Sequence, residues 1–155
     1  MSDAGGPYLF DVGVIALAHV ETPVSTTPLS YVRQAIRGDI HAVVPYSALF
    51  GAHVVLSSYY GLSNAKASRV LENFMDAKRI HWHESMPETV VRGGLDKASE
   101  FNIDGWDGYF AQVAVEEGVK TILTLDDDFT RLEDVSTDVV LTPDEFETLN
   151  EFLGY

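Results

Sequence analysis

The chain has 155 residues, 46% of them apolar, and carries 24 acids against 10 bases for a formal net charge of −14. That length and apolar content fit one globular domain with a sizeable core and exclude a disordered or low-complexity chain. No cysteine is present, so disulfides, thiolate metal sites and thiol nucleophiles are excluded, and Asp, Glu and five His remain as ligands, which favours hard, oxygen-bound cations.

In chain order, the pattern predicts a first strand from Tyr8 to Val12 and a first helix from Val14 to Val20, closed before Pro23. Thr27-Pro28 reads as N-cap and first turn of a second helix running to Arg37 and ended by Gly38. His41 to Val44 is a second short strand. Pro45 then opens a long helix, YSALFGAHVVLSSYYG, that stops at Gly61. Ser63 caps another, NAKASRVLENFMDAK, with Ala67, Val70, Leu71 and Phe74 as its buried stripe. Ile80 to Trp82 supplies a brief strand and Met86 to Phe101 a fifth helix. A sixth helix starts at Asp104, Thr121 to Leu125 is a central strand, Asp138 to Leu141 an edge strand, and the last helix begins at Pro143. Strands alternating with helices imply a parallel sheet covered on both faces.

Three acids stand out against this pattern. Asp11 interrupts the apolar run YLFDVGVIAL, where an uncompensated carboxylate costs several kcal/mol, and no Lys or Arg is near it in sequence. Asp107 is in line with Phe110, Ala111 and Ala114 at helical spacing, so it heads an apolar stripe. Asp126, Asp127 and Asp128 follow directly on the run Val119 to Leu125, and ligands bind at the carboxyl ends of strands in open α/β sheets. Each has a plain structural reading: Asp104 as an N-cap with Asp107 as the acid of a capping box, and Asp126 as the cap of a short helix through Phe129 and Leu132. Glycine-rich phosphate loops and a G-x-S-x-G serine are absent. His81 and His83 share one strand face without a third ligand in view, and read as structural or surface histidines.

Two compositional readings complete the picture. No apolar run is long enough to span a bilayer, and the opening MSDAGGP lacks the features of a secretion signal, so a cytoplasmic protein with no membrane partner is expected. The acid excess resembles the surfaces of proteins from salt-loving organisms. At molar salt the Debye length is about 3 Å, so self-repulsion is screened and the negative charge no longer argues against a nucleic-acid partner.

With Asp11, Asp107 and the LTLDDDF segment in this order, the chain resembles a PIN domain, and in particular the compact VapC-type toxins of prokaryotes. The resemblance covers nearly all of a single domain over 6–153. It rests on YLFDVGVIAL, the proline-led helix VPYSALFGAHVVLSSYYG, the small-residue helix WDGYFAQVAV, and LTLDDDF, whose Thr124 and Phe129 resemble the family's T-x-D-x-x-F pattern. The family implies a three-layer α/β fold, with a central parallel sheet of about five strands flanked by helices. It also implies metal-dependent endoribonuclease activity as the toxin of a type II toxin–antitoxin pair.

On that reading Asp11, Asp107, Asp126 and Asp128 are the catalytic acids and, with Asp104 as an outer member, the ligands of Mg²⁺ or Mn²⁺. Thr124 orients a carboxylate. Expected partners are an RNA substrate, a second copy of the chain and a cognate antitoxin. Arg33, Arg37, Lys66, Arg69, Lys78, Arg79 and Arg92 are the bases available to meet phosphates. Two departures keep open a PIN-like module that binds RNA or protein without turnover. Gly51 stands where the family carries a helical glutamate, and Gly13 replaces the usual polar residue two after the first acid.

Overall fold

The computed structural model describes residues 5–125 and 128–155, the side chain of residue 128 excepted. The elements in order are β1 (Gly5–Phe10), α1 (Val12–Ala18), α2 (Thr26–Arg37), β2 (Ile40–Pro45), α3 (Tyr46–Ser58), α4 (Asn64–Phe74), β3 (His81–His83), α5 (Glu88–Phe101), α6 (Gly105–Glu116), β4 (Thr121–Thr124), a 3₁₀ turn (Asp128–Arg131), β5 (Ser136–Val139) and α7 (Pro143–Leu153). All strand pairings are parallel, in the order β3-β2-β1-β4-β5. The expected α/β architecture, a five-stranded parallel sheet flanked by helices, is what the chain adopts.

The centre of the sheet is apolar because β1, β2 and β4 are interior strands of a parallel sheet. Leu9 pairs with Val43 on one side and Ile122 on the other, and Phe10 pairs with Leu123. Leu9, Phe10, Ile122 and Leu123 have no exposed surface. The chain moves outward from β1 to β2 and β3, then returns across the sheet to β4. The strand order therefore reverses between β1 and β4, and the crevice outside their carboxyl ends is where such sheets bind ligands.

Several boundaries differ from the sequence expectation for local reasons. The first strand ends at Phe10 and the helix begins at Val12, because Asp11 is extended (φ −68°, ψ 157°) and caps α1. In α2 the N-cap position is Ser25 rather than Thr27. Its hydroxyl is engaged by Thr22, accepting from the Thr22 amide at 3.1 Å, and makes no cap hydrogen bond. The α4 helix stops at Phe74, four residues early, in a turn where the amides of Asp76 and Ala77 bond back to Asn73 and Phe74. Thr121 to Thr124 pair with Ser136 to Val139, so β5 starts two residues before the expected Asp138. The amide of Val140 still donates to the Thr124 carbonyl.

The α5 and α6 helices meet through glycine. A Cβ on Gly108 would lie 2.2 Å from the Gly94 carbonyl oxygen, and one on Gly94 would lie 2.9 Å from Tyr109 Cα. Neither position has room for a side chain, so the two backbones touch. Among the described residues no helix is long and apolar enough to cross a membrane.

Candidate active site

Asp11 leaves β1 at its carboxyl end, and its backbone amide still donates to the Leu123 carbonyl of the neighbouring strand β4. Its side chain is held twice: Oδ1 accepts from the Val12 amide at 2.7 Å and Oδ2 accepts from the Thr124 hydroxyl at 3.0 Å. Thr124 is the last residue of β4 and has no exposed surface. A buried hydroxyl aimed at a carboxylate fixes that carboxylate's orientation, and these two donors supply part of the compensation that the sequence alone left unassigned.

The two acids of α6 arrive from the opposite direction. Asp104 is the N-cap of that helix, extended at φ −71° and ψ 169°, and its Oδ1 accepts from the Asp107 amide at 2.8 Å. The capping reading of Asp104 is therefore correct, yet it does not remove Asp104 from the site, since one carboxylate oxygen is enough to cap. Asp107, in the first turn, is only 8% exposed, above the buried stripe of Phe110, Ala111 and Ala114. The helix N-terminus lends both acids favourable dipole interaction.

These acids share one cleft of about 720 Å³. Asp11, Val12 and Gly13 come from the start of α1, Gly51 from α3, and Asp104, Trp106, Asp107 and Phe110 from the start of α6. Leu125 lines the β4 side. Of the expected site residues, Asp126 lies outside the described residues, as does the side chain of Asp128; Phe129 is fully buried in the 3₁₀ turn. Among the described lining residues there is no Lys or Arg. Arg37 pairs instead with Asp39 and Arg92 with Glu88, both at 3.0 Å, and Arg79 donates to the Arg37 carbonyl. Lys66 lines a smaller hollow that shares Tyr60 with the cleft.

Gly51 and Gly13, the positions where the resemblance expects polar ligands, both line the cleft that the acids line. A Cβ on Gly51 would stand 2.8 Å from Val12 Cγ2, so α3 packs on α1 at this point. His53 faces elsewhere: its Nε2 meets the Asn64 carbonyl oxygen at 3.2 Å and the Ser68 hydroxyl at 3.1 Å on α4.

Sequence reasoning missed the contribution of α7. Phe146, Leu149, Asn150 and Leu153 of α7, with Tyr155 beyond it, also line the cleft. The helix itself was expected from Pro143, but nothing in its sequence says which surface it meets. Trp106, which stacks on Phe110 with centroids 5.7 Å apart, adds an aromatic face at the mouth.

Among known proteins, no family model matches the chain and no curated protein matches it. Solved structures do. The chain is similar to the Mycobacterium tuberculosis toxin VapC20, described as cleaving the sarcin-ricin loop, with a TM-score of 0.63 and 12% identity over 79% of this chain and 92% of that one. It is similar to PAE2754 from Pyrobaculum aerophilum (TM-score 0.58, 21% identity, 94% and 93% covered) and to FitAcB from Neisseria gonorrhoeae (TM-score 0.51, 20% identity, 84% and 95% covered). Each of these chains is covered almost end to end, and the chain shares their PIN/VapC-like fold.

Proposed function

We propose that the protein is a metal-dependent endoribonuclease that hydrolyses RNA phosphodiesters with Mg²⁺ or Mn²⁺, and that it acts as the toxin of a type II toxin–antitoxin pair. One observation carries this reading: Asp11, Asp104 and Asp107, from two separate elements, line a single cleft at the carboxyl end of the sheet, in a fold shared with an RNA-cleaving toxin. The donor set is all oxygen, which suits a hard cation. Asp126 and Asp128 complete the ligand set by the resemblance. A cation bound there makes a water nucleophilic near neutral pH and offsets charge on the phosphate oxygens. The chain's own part is to hold Asp11 through Thr124 and the Val12 amide, to hold Asp107 over a dry stripe, and to offer Trp106 as a stacking face for a base.

The test is Mn²⁺ titration by calorimetry together with cleavage of a mixed RNA pool in molar KCl. Asp11→Asn and Asp107→Asn each lose Mn²⁺ affinity and cleavage. Unchanged affinity in both variants overturns the shared site.

A second reading, a PIN-like module that binds RNA or a protein without turnover, is favoured by Gly51 and Gly13 on the cleft wall and by the lack of Lys or Arg among its described lining. RNA retained but left intact at saturating Mn²⁺ selects it. On either reading we assign self-association to α3 and α4, where Phe50 is 77% exposed beside the exposed Val54 and Met75. The apolar groove between these helices, lined by Leu49, Phe50, Leu71 and Met75, suits a second copy or a cognate antitoxin. The acid excess supports a cytoplasm rich in salt. Light scattering in molar KCl that returns a monomer throughout the micromolar range refutes the dimer.

A further inference from the structure

We propose a second metal site, independent of the acidic cleft and of the function assigned to it, in which His81, His83 and Glu117 bind a borderline transition ion, with Zn²⁺ as the reference case. His81 and His83 are alternate residues of the edge strand β3 and so present their rings on one side of it. Glu117, at the C-cap of α6, reaches both: Oε2 is 2.9 Å from His81 Nε2 and Oε1 is 2.7 Å from His83 Nδ1. One ligand atom from each of the three residues lies within 4.8 Å of the other two. None of the three lines the acidic cleft.

The donor chemistry separates this cluster from the cleft. Two imidazole nitrogens and one carboxylate form a zinc-type set that leaves a fourth position open, whereas Mg²⁺ seeks oxygen alone. The carbonyl end of α6 adds negative potential beside the site, which favours a cation.

His83 is the fixed member of the cluster. The residue is 8% exposed and its Nδ1 is aimed at Glu117, so its ring is already held toward the position an ion would take.

The present contacts are of hydrogen-bond length. A tetrahedral ion with bonds of about 2.0 Å holds its ligand atoms roughly 3.3 Å apart. The carboxylate must therefore withdraw a few tenths of an ångström, which Glu117 (25% exposed) and His81 (59% exposed) are free to do. The bound ion would tie the end of α6 to β3.

Co²⁺ serves as the spectroscopic probe and Zn²⁺ as its competitor, with folding of every protein checked by circular dichroism. The expected result is one equivalent of Co²⁺ giving a visible ligand-field band that Zn²⁺ displaces, and a Tm raised by about 5–10 °C at a hundredfold excess of Zn²⁺ over Kd. His81→Gln and Glu117→Gln, both at positions with solvent access, each weaken Co²⁺ binding at least about tenfold. Asp107→Asn keeps the band, so failure here and failure of the acidic cleft are told apart. Absence of the band in the native protein, its persistence in both His81→Gln and Glu117→Gln, or its loss in Asp107→Asn overturns the proposal.

Discussion

Replacing Gly51 by alanine asks whether packing or a vacated ligand position explains a glycine in the middle of α3. An added methyl in a helix interior is worth about 1 kcal/mol in favour of alanine. Against it stands Val12, whose Cγ2 and Cγ1 would lie 2.8 and 3.3 Å from the new Cβ. Valine is stiff at χ1 and sits in the first turn of α1, so relief has to come from the helices, and overpacking of this kind costs about 1–3 kcal/mol. The net effect is a loss of about 0–2 kcal/mol, or a Tm lower by up to roughly 8 °C for a domain of this size. If the space were open, the same change would raise Tm by roughly 2–4 °C. The sign therefore decides. Thermal unfolding in molar KCl of Gly51→Ala, Val12→Ala and the double variant completes the cycle, and a favourable coupling of about 0.5–3 kcal/mol is expected because Val12→Ala removes both opposing methyls. In the Val12→Ala background, Gly51→Glu then places a carboxylate in the cleft, tightens Mn²⁺ binding and raises RNA cleavage at low metal. A Tm increase in Gly51→Ala that is indifferent to Val12 refutes the packing argument, and unchanged Mn²⁺ affinity in the glutamate variant refutes the alignment of Gly51 with the family's ligand.

Three further predictions concern stability. Gly108→Ala directs a methyl at a backbone oxygen rather than a side chain, so its effect falls near the upper end of about 1–3 kcal/mol, and Tm drops by roughly 6–12 °C; a smaller change than that of Gly51→Ala contradicts the contact. Burial pushes Tyr60 up from 10.0 to about 12, and burial with the hydrogen bond to Asp138 does the same for Tyr31. The folded state thus keeps protons that the unfolded chain gives up near pH 10, so stability is intact below pH 10 and falls between about 10 and 12; a denaturation series flat over that window, or one that Tyr60→Phe leaves unchanged, opposes this. Burial also lowers His19 below 6.5, against the opposing hydrogen bond to the Ile15 carbonyl, so its contribution is present above pH 6.5 and is lost as pH falls below it; His19→Gln flattens that limb.

The order of strands and helices was readable because a parallel sheet buries its strands on both faces and leaves them as short apolar runs between amphipathic helices, as at Tyr8 to Phe10 and Val119 to Thr124. Asp11 was readable for the opposite reason, as a charge inside such a run. Its compensation was not, because Thr124 lies 113 residues away and only the pairing of β1 with β4 brings the two together. The same holds for His81 and His83, which read as structural or surface histidines because no third ligand was near them in sequence. The meeting of His83 with Glu117 spans 34 residues and depends on where α6 ends. The N-cap of α2 was misplaced because Ser25, Thr26 and Thr27 all carry hydroxyls that can cap, and the Ser25 hydroxyl is taken up by Thr22, so no side-chain cap bond marks the start of the helix.

The glycine contact between α5 and α6 has a consequence for how loss-of-function data on this protein will look. Most helix interfaces absorb an extra methyl by turning a rotamer, but where Gly94 meets Gly108 there is only main chain, and a larger residue must translate the helix. Asp107 is one residue from that contact, and Asp104 is four. A random mutagenesis screen will therefore return substitutions at Gly94 and Gly108 beside those at the acids, with intact expression in the milder cases and displaced carboxylates in all of them. Ranked by phenotype alone, two residues that neither face the cleft nor carry a functional group will look catalytic.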